Sequence, residues 1–319
     1  MLMDQSTDLI TVTVAVKTCS IEKLYASLLK KFISPKYTDG IVVRDVAGVV
    51  TKVGAEVSRF RVGDEVIGLL SVDNFFDIKV STCDLLEYQL VKKPKTLAWE
   101  IASCCIMDGL KAYDALHYLG RVQSGTTLLI CNAVSSFGVL AIQLAREWGV
   151  KVFSTAENEE DAQTMRTMSL DVERILDGHQ FVRNSMKDET GGVGVDCIID
   201  SGVFPNVINA EDRDSTKPMK HDIISSLAIN GKWVTSQHDL QLDPPDSEIL
   251  HMKNASVCHL FPDAMLLSSY QQNKVLHIMD AVLEQADAGV LRPHFMSVLP
   301  ASELIPSVFP TKHRIVLKL

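Results

Sequence analysis

The chain lacks a basic run of any length: Lys30-Lys31 and Lys92-Lys93 are isolated pairs, and 31 Lys and Arg stand against 40 Asp and Glu, a formal charge of −9. Phosphate backbones are gripped by clustered cations, so direct nucleic-acid binding is not expected. Cysteine is too scattered and uneven in number for a disulfide framework. The seven thiols, Cys19, Cys83, Cys104, Cys105, Cys131, Cys197 and Cys258, lie mostly in apolar runs, which fits a reducing cytosol. The vicinal pair Cys104-Cys105 reads as core, because a vicinal disulfide ring is strained and burial keeps thiols inert. The first residues, MLMDQSTDLI, have neither the charged n-region nor the apolar h-region of a secretory leader. One charge-free stretch, Val122 to Ala145, is long enough to cross a bilayer. Its centre, Asn132-Ala-Val-Ser-Ser-Phe-Gly138, is polar and turn-prone, so a buried strand, a tight turn and a buried helix account for it better. A soluble, cytoplasmic protein without membrane insertion is expected.

With 46% hydrophobic residues over a length of 319, the chain can bury a large core, and its length favours two domains. The first hundred residues read as β-rich. Ile10 to Lys17 is largely β-branched with a period of two, and Ala47 to Val53 and Val62 to Gly68 are short apolar segments punctuated by Gly and Asp. Glu100 to Leu119 has apolar residues at helical spacing. From Thr127 the runs Leu128–Cys131, Val150–Phe153, Arg174–Leu176 and Val195–Ile199 alternate with helical segments, and Asn230–Val234 opens a further strand after the apolar stretch Ile223–Ile229. That alternation is the signature of an α/β doubly wound parallel sheet. Lys217–Asp222 and Asp243–Asp246 read as polar loops. The closing segment, Arg314–Leu319, reads as a strand returning to the first domain.

Several of these segments fall in a recognisable order. Asp45-Val-Ala-Gly-Val-Val50, Val53-Gly54 and Arg61-Val-Gly-Asp-Glu-Val-Ile-Gly68 resemble the GroES-like domain of the zinc-independent, quinone-oxidoreductase type of medium-chain dehydrogenase/reductase. Asp108 to Leu116, Phe137-Gly138 through Ala145, and Thr190 to Asp200 resemble that family's lead-in helix, glycine-loop helix and fourth-strand segment. Nearly the whole chain is covered, although the N-terminus is short by family standards and lacks the usual opening strand. The resemblance implies a GroES-like β-rich domain over residues 1–106, completed by 293–319, and a Rossmann-type nucleotide-binding domain over 107–292.

The implied reaction is hydride transfer from NADPH to a quinone or an activated alkene, without zinc. The family's three loop glycines fall on Asn132, Ser135 and Gly138, so one glycine survives of the three that permit the turn, the close approach of pyrophosphate and helix–strand packing. Candidate cofactor-binding residues are Asn132, Ala133, Ser135, Ser136, Phe137, Gly138, Thr155, Asp200, Ser201 and Gly202. Serine hydroxyls and the helix N-terminus still suit an anion, while Phe137 adds bulk. An ordinary strand–turn–helix is an equal reading of the loop. Relatives that bind NADPH carry Lys where Asp161 stands and Tyr where Gly178 stands. The run Glu157 to Asp161 would repel a 2′-phosphate, although an acidic, solvated helix start accounts for it equally.

Zinc-dependent cousins need Cys, His and carboxylate ligands. Arg44-Asp45 occupies the place of their His-Glu pair, and their four-cysteine lobe is missing. The pocket's Asn and Asp fall on Glu22 and Tyr25. Glu22 would oppose a developing enolate unless protonated, and Tyr25 could donate a hydrogen bond. Lys111 is a candidate phosphate holder, with a solvated helix lysine as the simpler reading. Two functions stay open: a reductase of quinones or enones with a degraded cofactor site, and a non-catalytic scaffold. The resemblance further implies a subunit of a cytosolic assembly, recruited to early endosomes by a small GTPase and linked to mRNA transport, and a homodimer joined through the nucleotide-domain sheet near His251–Leu260.

Overall fold

The computed structural model describes residues 8–23, 41–72, 81–168, 170–177, 182–204, 217–268, 270–294, 296–303 and 313–319. Strands β1 (Thr11–Lys23), β2 (Ile41–Val53), β3 (Glu65–Leu69), β4 (Thr82–Leu86) and β5 (Leu90–Lys92) precede helix α1 (Trp99–Tyr113) and a π-helical stretch, Asp114–Leu119. Then β6 (Thr127–Ile130), α2 (Ser136–Glu147), β7 (Lys151–Ala156), α3 (Glu159–Thr167), β8 (Arg174–Asp177), α4 (Val182–Glu189), β9 (Val195–Asp200), α5 (Lys220–Ser226), β10 (Leu227–Thr235), α6 (Pro244–Met252) and β11 (Ser256–His259) alternate. Helices α7 (Asp263–Leu266) and α8 (Gln272–Asp287) and strands β12 (Met296–Pro300) and β13 (Arg314–Lys318) follow. The chain divides into two compact units, residues up to Leu110 with Pro262–Leu319, and Lys111–Phe261.

The first unit is a seven-stranded sheet in the order β12-β13-β1-β2-β3-β5, with β4 also paired to β1. Strand β1 begins with the alternation its sequence promises: Val12, Val14 and Val16 are buried, while Thr11, Thr13 and Ala15 are half-exposed. Beyond Lys17 the alternation ends, and Thr18, Cys19, Ser20 and Ile21 are all buried. The pairing of β1 with β2 slips at three places, and such bulges bend a strand and re-aim its side chains. At Gly48 a Cβ would meet Ala15 O at 2.1 Å, so only glycine lets the two backbones pass. Strand β13 pairs antiparallel with β1, Thr18 opposite Lys318. The units divide at Pro262, earlier than the residue 293 expected from the sequence. Helix α8 buries Val275, Ile278, Met279, Val282 and Leu283. It packs on β5 and approaches α1 so closely that a Cβ on Gly109 would lie 2.5 Å from Val282 Cγ1.

The second unit is a six-stranded parallel sheet in the order β11-β10-β9-β6-β7-β8. This is the order of a doubly wound dinucleotide fold, and it reverses direction between β6 and β9. Strands covered on both faces are apolar throughout: Leu128, Leu129, Ile130, Ile198 and Ile199 are all at most 1% exposed. The span-like segment from Val122 resolves into β6, a turn and α2, and among the described residues no helix is long and apolar enough to cross a membrane. Two segments expected as loops carry helices. Lys220 opens α5 with its ammonium buried against Asp243 and Asp246, and Asp243 precedes α6, whose first residue is proline. A proline at that position brings a helical φ and lacks an N–H that would be unpaired there anyway. The apolar stretch Ile223–Ile229 is correspondingly split between α5 and β10.

Within the first unit Arg314 on β13 donates from Nε to Asp108 Oδ2 at 3.0 Å and from Nη2 to Asp108 Oδ1. Both residues are buried, and removing one partner of such a pair strands a charge in a poor solvent. Asp108→Ala is expected to lower the unfolding free energy by about 3–5 kcal/mol, read from urea denaturation midpoints at constant slope.

Candidate functional site

In a doubly wound sheet the place where strand order reverses leaves a crevice at the strands' C-terminal ends. Here β6 ends and the chain turns through Asn132, which has φ 55°. That left-handed conformation is easy for glycine and tolerated by asparagine, so Asn132 performs the turn of the missing first glycine. Its N–H donates to Thr155 Oγ1 at 3.0 Å, and its side-chain amide donates to Glu157 Oε1 at 3.0 Å. Ser135 caps α2 with an extended backbone, its Oγ accepting from Gly138 N at 3.0 Å. Gly138 keeps the packing role, since a Cβ there would lie 2.5 Å from Ala133 O. Of the three glycine requirements, turn and packing are met. At the middle position a serine side chain stands where pyrophosphate needs open backbone.

Ala133 and Val134 are buried, and Ser136 and Phe137 are half-buried. Lys111, at the C-terminal end of α1, places Nζ 4.7 Å from the centre of the Phe137 ring. The ring holds the ammonium by cation–π attraction, so Lys111 stands beside the loop and is not simply a solvated helix lysine. The positive end of α2 and this cation favour an anion. Glu157 opposes it. Glu159 and Glu160 are exposed in the first turn of α3, as an acidic helix start should be, but Asp161 is buried and Glu157 turns to Asn132.

On the other side of the switch point Asp200 ends β9. It accepts from Trp233 Nε1, from Thr235 Oγ1 at 2.7 Å and from the Gly202 N–H. Burial pushes its carboxyl up to about 6 against the pull of those donors. Asp200 thus anchors the end of the strand more than it faces outward. Ser201 is exposed, and Gly202 has φ 148°. Thr155 is fully buried behind Asn132. The loop candidates therefore converge, while Asp200 supports the opposite wall.

In the first unit Glu22 is not an available acid. Its Oε2 lies 3.2 Å from Arg44 Nε and 3.8 Å from Arg314 Nη1. Tyr25 and Gly178 lie outside the described residues. Arg44 is fully buried and donates from Nη2 to both Asp263 oxygens at 2.9 Å. Asp45 turns instead to Ser20, accepting from its N–H at 2.9 Å and from its hydroxyl. Among the described residues no cluster of three or more His, Cys, Asp or Glu is arranged to hold a metal. Sequence reasoning pointed to Glu22 and Arg44 but missed Asp263, Arg314 and the turn of Glu157 onto Asn132, none of which has a local signal.

A mixed sheet in one unit and a doubly wound sheet in the other define the medium-chain dehydrogenase/reductase class. Residues 10–103 match the alcohol dehydrogenase GroES-like domain. An alcohol dehydrogenase superfamily protein from Novosphingobium aromaticivorans shares the fold at TM-score 0.79 and 21% identity, over 100% of this chain and 94% of that one. A quinone oxidoreductase of Pseudomonas syringae does so at 0.74 and 20%, over 100% and 94%. Over 299 residues the chain is 39% identical to Quinone oxidoreductase-like protein 1 of Mus musculus, covering 92% of this chain and 85% of that protein. The chain belongs to the quinone-oxidoreductase-like family of that class.

Asp45 gives this region a pH dependence. Burial pushes its carboxyl up to about 7, with Ser20 and Arg314 pulling the other way. A carboxyl whose folded pKa exceeds its unfolded value costs stability as pH rises from about 4 through 7, because folding opposes the ionisation. Asp45→Asn keeps an acceptor for the Ser20 N–H and removes that cost. Relative to the unsubstituted protein it is expected to gain at least about 1.4 kcal/mol, the equivalent of one pKa unit, between pH 5 and pH 8 in thermal unfolding.

Proposed function

We propose that the second unit is a nicotinamide-dinucleotide site that has kept its shape and lost much of its recognition, and that the chain is a quinone-oxidoreductase-type protein with weak or lost hydride transfer. The Asn132–Glu157 hydrogen bond carries the reading, because it sets a carboxylate on the loop that would face a cofactor's phosphates. Two phosphates beside a carboxylate repel it in any partly dry site. When bound, NADPH or NADH would supply the hydride for a quinone or an activated alkene. The chain's share is to hold it: the hydroxyls of Ser135 and Ser136 and the Phe137 N–H toward pyrophosphate, Lys111 as a neighbouring cation, and Thr155 behind the loop. Asp200, Ser201 and Gly202 form the wall at the end of β9. Support comes from Asn132 in the left-handed turn and Gly138 at the close approach, since both preserve the geometry that a dinucleotide requires.

A second reading rests on the ion-paired Glu22 in the first unit. A carboxylate already engaged with arginines neither protonates nor polarises a substrate, which favours a scaffold subunit of a cytosolic, early-endosomal assembly. In either case we infer a homodimer through the half-exposed edge strand β11, whose open edge would otherwise be a liability; light scattering checks this.

Fluorescence titration of the full chain with NADPH and NADH separates the two readings. Binding at micromolar to sub-millimolar levels is expected, and Glu157→Gln should tighten it about fivefold, ~1 kcal/mol, with the larger gain for NADPH. Absence of binding to millimolar concentration in both forms would overturn the dinucleotide reading and leave the scaffold.

A further inference from the structure

Two guanidinium groups in the first unit are buried and incompletely served. Arg44 is 0% exposed and Arg314 5%. Each spends part of its donor set on a buried carboxylate, Asp263 for Arg44 and Asp108 for Arg314. Among the described residues Arg44 Nε, Arg44 Nη1 and Arg314 Nη1 have no hydrogen-bond partner. Arg44 Nε and Arg314 Nη1 converge instead on one atom, Glu22 Oε2, at 3.2 and 3.8 Å. A single oxygen thus lies between two guanidinium groups and satisfies neither, though buried polar groups are nearly always hydrogen-bonded.

The Glu22 side chain is 33% exposed, whereas the arginines beneath it are sealed. The occupant therefore reaches solvent and its receptor does not. Arg44 with Asp263 and Arg314 with Asp108 are each neutral as pairs, so exchanging the Glu22 carboxylate for another leaves the buried charge unchanged. Guanidinium groups match a planar carboxylate in shape and in donor spacing.

We propose that Arg44 and Arg314 form a binding site for a small monocarboxylate, in which the Glu22 carboxylate is an internal occupant that the ligand displaces. All its residues lie in the first unit, so the site stands or falls independently of the dinucleotide reading. The ligand's two oxygens serve the donors that Glu22 leaves unpaired, and Glu22 moves to water.

The probe is acetate, with chloride at equal ionic strength as the control, on the full chain and on Glu22→Gln and Glu22→Ala. Calorimetry should show acetate binding at least tenfold tighter in Glu22→Ala than in the unsubstituted protein, because the internal competitor is gone, with Glu22→Gln between them. In selectively labelled protein, acetate and not chloride should shift two arginine Nε–H signals. Equal responses to acetate and chloride in all forms would overturn the site. If Glu22→Ala folds only when acetate is present, the site is supported; if it folds in neither salt, Glu22→Gln decides by showing or lacking the preference for acetate.

Discussion

A guanidinium group cannot be sealed from water without a carboxylate, and two such pairings hold the first unit together. Arg44 on β2 and Asp263 on α7 are 219 residues apart, and Arg314 on β13 and Asp108 on α1 are 206 apart. Each pair ties a late segment to an early one, so the unit closes only when the end of the chain returns. Asp263 also accepts from the Val72 N–H at 3.2 Å, which fixes the segment after β3. The carboxyl of Asp263 is raised by burial and pulled back by Arg44. For Arg314, burial disfavours the charge, but Asp108 and Glu22 outweigh it and hold the proton more firmly than usual. Geometry and protonation therefore depend on the same contacts, and substitution at any one of the four residues is felt at the others.

The second unit obeys a constraint of another kind, the closeness of backbones. Gly138 admits no side chain because the carbonyl of Ala133 is against it, and that closeness sets where α2 starts. Asn132 shows how a glycine role can pass to another residue, since only its φ is required of it. Ser135 shows the limit of such exchange: as an N-cap it is fully suited to the helix, yet its side chain stands where a phosphate would need open backbone. A loop can remain sound as structure while its chemistry changes.

Elements whose causes are local were legible in the sequence. The strands at Leu128, Val150 and Val195 show as apolar runs bounded by turns, and the Asn132–Gly138 loop shows as a polar break within them. Elements whose causes are distant were not. Helix α5 begins with Lys220-His221-Asp222, which reads as a solvated loop until Asp243 and Asp246 are seen to bury the lysine. Helix α8 has the periodicity of any amphipathic helix, and nothing in it says which unit it covers; that follows from Val282 against Gly109 and from Asp263 reaching Arg44. Candidate site residues were legible by position, but not their partners, because the turn of Glu157 onto Asn132 is a matter of rotamer and space.

Glu22 and Glu157 meet the same physical need in different units. Each presents a carboxylate to a donor set that the fold keeps: two arginines in one case, and the amide of Asn132 near a helix N-terminus in the other. Buried donors left empty cost more than donors imperfectly filled, so a protein that binds its ligand weakly gains by supplying the anion itself. The gain is also an obstacle, since any external anion must first outcompete a tethered one. Tethering raises the competitor's effective concentration to the millimolar range, so an external anion binds strongly only if its own contacts exceed what the glutamate gives up. At both places the internal bonds are few: one hydrogen bond for Glu157 is described, and two long contacts for Glu22. Such bonds are weak enough to yield to a ligand with two well-placed oxygens, which makes these glutamates regulators of affinity more than permanent plugs.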